Sequence, residues 1–116
     1  MTLEETTEIL LAALEDLKAQ DIKVLDVKKL TSITDIMLIA SGRSNRQVKA
    51  LADHIVDTAK ANKIKVLGLE GEQQGEWVLI DLGDVIVHIM QPAIRDYYQL
   101  EKLWAQAPSE SRALST

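Results

Sequence analysis

The chain lacks cysteine altogether, which excludes disulfides and thiolate metal sites. It also lacks a membrane-length apolar run: Ile36 to Ala40 is apolar at every position, but a spanning helix needs about 20 such residues. The N-terminus reads Met-Thr-Leu-Glu-Glu, acidic where a signal peptide is basic, and no cleavage-site pattern follows. A cytoplasmic location and no membrane partner are therefore expected. A basic surplus is missing too, with 13 Lys and Arg against 18 Asp and Glu, a net charge of −5. Phosphate neutralisation supplies most nucleic-acid affinity, so no sequence-specific nucleic-acid contact is expected. Opposite charge would instead steer this chain toward a basic protein.

What is present suits one globular domain. The 116 residues, 47% of them apolar, suffice for one real core. Thr2 and Glu5 form a capping-box pattern, and Leu3, Leu10, Leu14 and Leu17 follow at helical spacing, predicting a first helix to about Ala19 or Gln20. Val24–Val27 and Ile36–Ala40 read as strands joined by a polar loop, the second covered on both faces. Ser44 and Gln47 form a second capping-box pattern. Val48, Leu51, Ala52, Ile55, Val56 and Ala59 continue the helix, with Asn62 expected in the left-handed stop position. Ile64–Glu70, Glu76–Asp81 and Val85–Met90 predict an antiparallel meander. Pro92 opens a last helix through Ile94, Tyr97, Tyr98, Leu100 and Trp104. Residues 105–116 lose all periodicity and are expected to form a disordered tail beyond a 1–104 domain. The pattern predicts a single mixed sheet packed by helices, an α/β or α+β sandwich of about five strands.

Few residues invite chemistry. The Gly42-Arg43-Ser44 turn, between a strand and a helix N-terminus, resembles a nucleotide-phosphate site. Such an enzyme needs paired carboxylates on a neighbouring strand. Asp53 and Asp57 fall inside the helix, and Asp35 lies at the far end of the preceding strand, so a capped helix after a glycine bend is the simpler reading. Asp81 and Asp84 flank Leu82-Gly83 as turn formers do. His54 and His88 carry no metal or triad spacing and read as hydrogen-bonded structural histidines. No catalytic residue, metal or cofactor is expected.

Trp77 and Leu79 share one face of their strand, and Ile86, His88 and Met90 one face of the next. Two apolar sheet faces require helices on both or a partner on one, and three helices need not cover both. These side chains are thus either core or an interface, with Trp77 and Tyr98 as candidate anchors. Glu70, Glu72 and Glu76 beside them suit a basic partner or are simply solvated.

Four blocks, DVKKLTSITD from Asp26, IASGRSNRQVKALADH from Ile39, GLEGEQQGEWVLIDLGDVIVHIMQP from Gly68 and YQLEKLW from Tyr98, resemble the Iojap or ribosomal silencing factor family, in order and spacing, from about residue 5 to 104. The resemblance implies a nucleotidyltransferase-like fold without the catalytic carboxylates. It implies a non-enzymatic translation repressor that binds the large ribosomal subunit through ribosomal protein fourteen and blocks small-subunit joining when nutrients are short. Organelle relatives imply a role in large-subunit assembly with the same surface. Carried onto this sequence, the partner-binding residues are Trp77, Leu79, Met90, Pro92, Tyr98 and Lys102, with Glu70 and Glu76 as charged neighbours. The free protein is expected to be a monomer or a homodimer. One departure is Gln73-Gln74, which lengthens the loop before Gly75 without being expected to move the strands.

Overall fold

The computed structural model describes residues 1–98, with side chains through Asp96. Along the chain run α1 (Leu3–Asp16), β1 (Gln20–Asp26), β2 (Ile36–Ser41), α2 (Asn45–Ala61), β3 (Gly68–Glu70), β4 (Trp77–Asp81), β5 (Val85–Met90) and α3 (Pro92–Tyr98). The five strands form one sheet in the order β1-β2-β5-β4-β3, parallel only between β2 and β5. This is the expected mixed α/β sheet with its β3–β4–β5 meander. Every residue of β2 and β5 is buried, as largely apolar strands covered on both faces are, with Ser41 and His88 the polar exceptions.

The helices end where local geometry stops them. At α1 the capping box is complete: Thr2 Oγ1 accepts from Glu5 N–H (3.0 Å), and Glu5 Oε1 accepts from Thr2 N–H (2.8 Å). The helix closes at Asp16, earlier than expected, because Lys18 adopts φ 61°. Lys18 N–H then reaches Glu15 O and Ala19 N–H reaches Leu14 O, both at 3.0 Å, a Schellman closure that turns the chain into β1. The same closure ends α2. Asn62 is not left-handed (φ −103°); Lys63 takes that position (φ 59°), and Ile64 N–H bonds Ala59 O at 2.8 Å.

β3 is shorter than the Ile64–Glu70 run. Ile64 and Val66 pack on the main core, and the ladder starts only where Leu67 N–H donates to Asp81 O at 2.7 Å. Core packing claims the first half of that run, and pairing claims only the rest.

The main core lies between one sheet face and the α1–α2 pair, where Leu10, Leu14, Leu51 and Ile55 meet Leu38, Ile80 and Val87. Each such side chain, fully buried, contributes about 1.5–3 kcal/mol of transfer free energy. Gly42 allows the β2–α2 approach, since a Cβ there would stand 2.8 Å from Val48 Cγ2. The opposite face carries a smaller cluster of Leu25, Val27, Met37, Ile39 and Met90, against which Trp77 and Ile94 pack. Among the described residues, no helix is long and apolar enough to cross a membrane.

Candidate functional site

The period of two in β4 sends Val78 and Ile80 into the main core and leaves Trp77 and Leu79, both half-buried, on the second face. Strand register then assembles their neighbours. Glu70, Leu79, His88 and Ile39 form one row across β3, β4, β5 and β2, and Trp77, Met90 and Ser41 form the next.

Diagonally across the β4–β5 ladder, Trp77 donates its indole Nε1–H to His88 Nδ1 at 2.9 Å, with ring centroids 5.8 Å apart. Accepting at Nδ1 leaves the imidazole proton on Nε2. His88 is only 5% exposed, and burial lowers its pKa to about 4, so the ring is neutral at pH 7 and keeps its acceptor lone pair. The indole of Trp77 is thereby held from beneath in one orientation.

This arrangement has a pH signature. A histidine whose folded pKa lies below its unfolded value of 6.5 binds fewer protons folded than unfolded, so stability is lost as pH falls from about 6.5 to about 4. At about 1.4 kcal/mol per pKa unit the contribution is at most on the order of 3 kcal/mol. Urea unfolding at pH 7 and pH 4.5 should show a smaller fall for His88→Gln than for wild type; an equal fall would place the titration elsewhere.

The expected partner-binding residues are distributed as follows. Glu70 and Glu76 are exposed at the rim, and Glu76 O accepts from Gln91 N–H at 3.0 Å. Pro92 is exposed at the start of α3. Met90 is fully buried, so it supports Trp77 from within the second cluster and offers no surface to a partner. Tyr98 is the last residue of described α3 backbone, and Lys102 and the 105–116 tail lie outside the described residues.

Two contacts escape a reading of local pattern. Arg95, buried, donates from Nη1 to Ser41 Oγ at 2.8 Å and ties α3 to the end of β2. His54 Nε2 stands 3.1 Å from Asp16 Oδ2, joining α2 to α1 across 38 positions of sequence. Both couple elements remote in sequence, and no spacing rule signals them.

Ser44 caps α2. Ser44 Oγ accepts from Gln47 N–H (3.1 Å), while Gln47 Oε1 accepts from Arg43 N–H (2.6 Å) rather than from Ser44 itself, so only half of the expected capping box forms. Asp35 sits at the opposite end of β2, where its N–H meets Asp84 O. Asp81 Oδ1 accepts from Gly83 N–H at 2.9 Å, the turn role expected of it. Among the described residues, no three His, Asp or Glu side chains group as metal ligands do.

Residues 1–115 match the family described as "Ribosomal silencing factor during starvation". Ribosomal silencing factor RsfS of Chromobacterium violaceum is 50% identical over 110 residues, 94% of this chain and 90% of the relative. A crystal structure of a protein from the same organism aligns with a TM-score of 0.89 at 49% identity, covering 96% of this chain and 93% of that one. A mouse protein named "Mitochondrial assembly of ribosomal large subunit protein 1" is 33% identical over 84% of this chain, which spans 44% of that longer relative. Agreement in sequence and in fold runs over nearly the whole length, and the chain belongs to the ribosomal silencing factor family.

Proposed function

We propose that this protein represses translation in the cytoplasm by docking on the large ribosomal subunit, through its ribosomal protein fourteen, and occupying space the small subunit needs for joining when nutrients are short. The observation carrying this reading is the Trp77–Leu79 face, an aromatic anchor held by His88 and rimmed by exposed Glu70, Glu72 and Glu76. Anchors of this kind dominate interface energetics, and an acidic rim suits a basic ribosomal protein. Occlusion needs no covalent step, so occupancy alone sets repression. The same face can pair with its own copy in the free protein, making a homodimer the alternative to a monomer.

Co-sedimentation with purified subunits tests the reading. Pelleting with the large subunit and not the small, with fewer joined ribosomes, is the expected result. Failure to pellet with the large subunit would sink it. Large-subunit binding that leaves joining intact would favour the assembly role that the mouse relative's name suggests.

A further inference from the structure

Charge is unevenly distributed over this acidic chain. No Asp or Glu occurs between Asp35 and Asp53, whereas Arg43, Arg46 and Lys49 do, all exposed. The Gln47 amide brings a fourth cation alongside. Its Oε1 accepts from Arg43 N–H, and its Nε2 donates to Leu17 O at 3.2 Å. Lys18, exposed and next to Leu17, therefore stands on the same rim, where α1 ends and α2 begins. None of these four side chains forms an ion pair among the described residues.

Acids flank the rim: Asp21 and Asp96 line a pocket with Ser41, two residues before Arg43, and Asp53 follows Lys49 by one turn of α2. Glu72 and Glu76 lie on the Lys49 side, because Lys49 Cε approaches the space above Gly75. Glu15 and Asp16 lie on the Lys18 side, with Asp16 paired to His54. Arg43 and Arg46 are both exposed, with no acid between them in sequence. Helix electrostatics does not account for them: α1 has Glu4 and Glu5 in its first turn, where negative charge stabilises, while α2 has Arg46 and no acid. The rim also adjoins the docking face. The Gln91 side-chain amide donates both to Asn45 Oδ1, in the first turn of α2, and to Gly75 O, just before Trp77.

We propose that Arg43 and Arg46, with Lys18 beside them, contact phosphates of structured ribosomal RNA next to the Trp77 face. The proposal rests on the reading above that the partner is the large subunit. Guanidinium groups match phosphate oxygens in a bidentate fork, and such contacts position a protein without reading bases. The net charge of −5 disfavours a chain that wraps nucleic acid; it does not oppose two or three phosphate contacts at one edge, which add to a protein–protein anchor.

The test is a salt titration of full-length protein binding to purified large subunits, wild type against Arg43→Gln/Arg46→Gln. Each phosphate contact contributes about 0.7–0.9 to the slope of log affinity against log salt. The double variant should be flatter by roughly 1.5, bind deproteinised large-subunit RNA more weakly, and bind isolated ribosomal protein fourteen as wild type does. An unchanged slope overturns the proposal. A flatter slope with unchanged binding to deproteinised RNA also overturns it, in favour of an acidic protein partner. Wild-type protein that ignores large subunits overturns the docking reading and this proposal together, a result distinct from either of the others.

Discussion

Replacing Trp77 by alanine is expected to weaken binding to the large subunit roughly 30- to 1000-fold, the equivalent of about 2–4 kcal/mol for a central anchor at about 1.4 kcal/mol per decade. Trp77 is half-buried in the free protein, so much of its apolar area is already against Met90 and its neighbours. The partner would cover the remainder, and its indole would arrive pre-oriented by the 2.9 Å bond to His88, which lowers the ordering cost of association. The alanine variant also leaves His88 Nδ1 without its donor inside a nearly dry site, so some loss of fold stability accompanies the loss of binding. Trp77→Phe separates the two effects. It keeps an aromatic ring while losing the indole N–H and part of the ring area, and its affinity should fall between wild type and Trp77→Ala. Equilibrium binding with a thermal melt of each variant reads both quantities. Wild-type affinity in a folded Trp77→Ala protein would move the docking surface away from β4.

Much of this architecture was legible because strands and amphipathic helices write their burial at short period. Ile36–Ala40 is apolar throughout and Val85–Met90 is apolar except for His88, and both proved to be interior strands with no exposed residue. The alternation at Trp77-Val78-Leu79-Ile80 assigned faces correctly, since a period of two admits only two choices. Helix stops were less legible. Lysine at 18 and 63 occupies left-handed backbone that asparagine or glycine adopts at lower cost, so composition pointed one residue too early at Asn62. Ile64–Val66 looked like strand because apolar residues pack equally well on a core without pairing. The Trp77–His88 bond lay between: pattern put both side chains on one face, but only the observed register shows that the indole reaches Nδ1. Met90 went the other way. Membership in the same block suggested a contact, and register buries it completely beneath Trp77.

Gly71→Ala is expected to be the most damaging small substitution in the loop that carries this face. Gly71 has φ +85°, and a Cβ there would lie 2.0 Å from the carbonyl oxygen of Trp77. The left-handed conformation alone costs an alanine roughly 1–2 kcal/mol. The overlap costs more, because the obstructing atom is backbone and cannot rotate away: the start of β4 must move or the loop must detach. Gly71 O also accepts Gly75 N–H at 3.1 Å, closing the loop whose tip holds Gln73 and Gln74. A loss of about 3 kcal/mol or more is expected, a large share of the roughly 5–15 kcal/mol that holds a domain of this size folded. Gly75→Ala is the control, with φ +72° but its nearest contact at 2.9 Å to Asn45 O, and it should cost less. Urea unfolding ranks the pair, and large-subunit binding reports whether Trp77 has moved. If Gly71→Ala unfolds like wild type but binds poorly, the loop has opened locally and the docking face depends on its closure. If stability and binding both survive, Gly71 does not brace Trp77, and its bond to His88 and its packing on the cluster that includes Met90 suffice to hold the anchor.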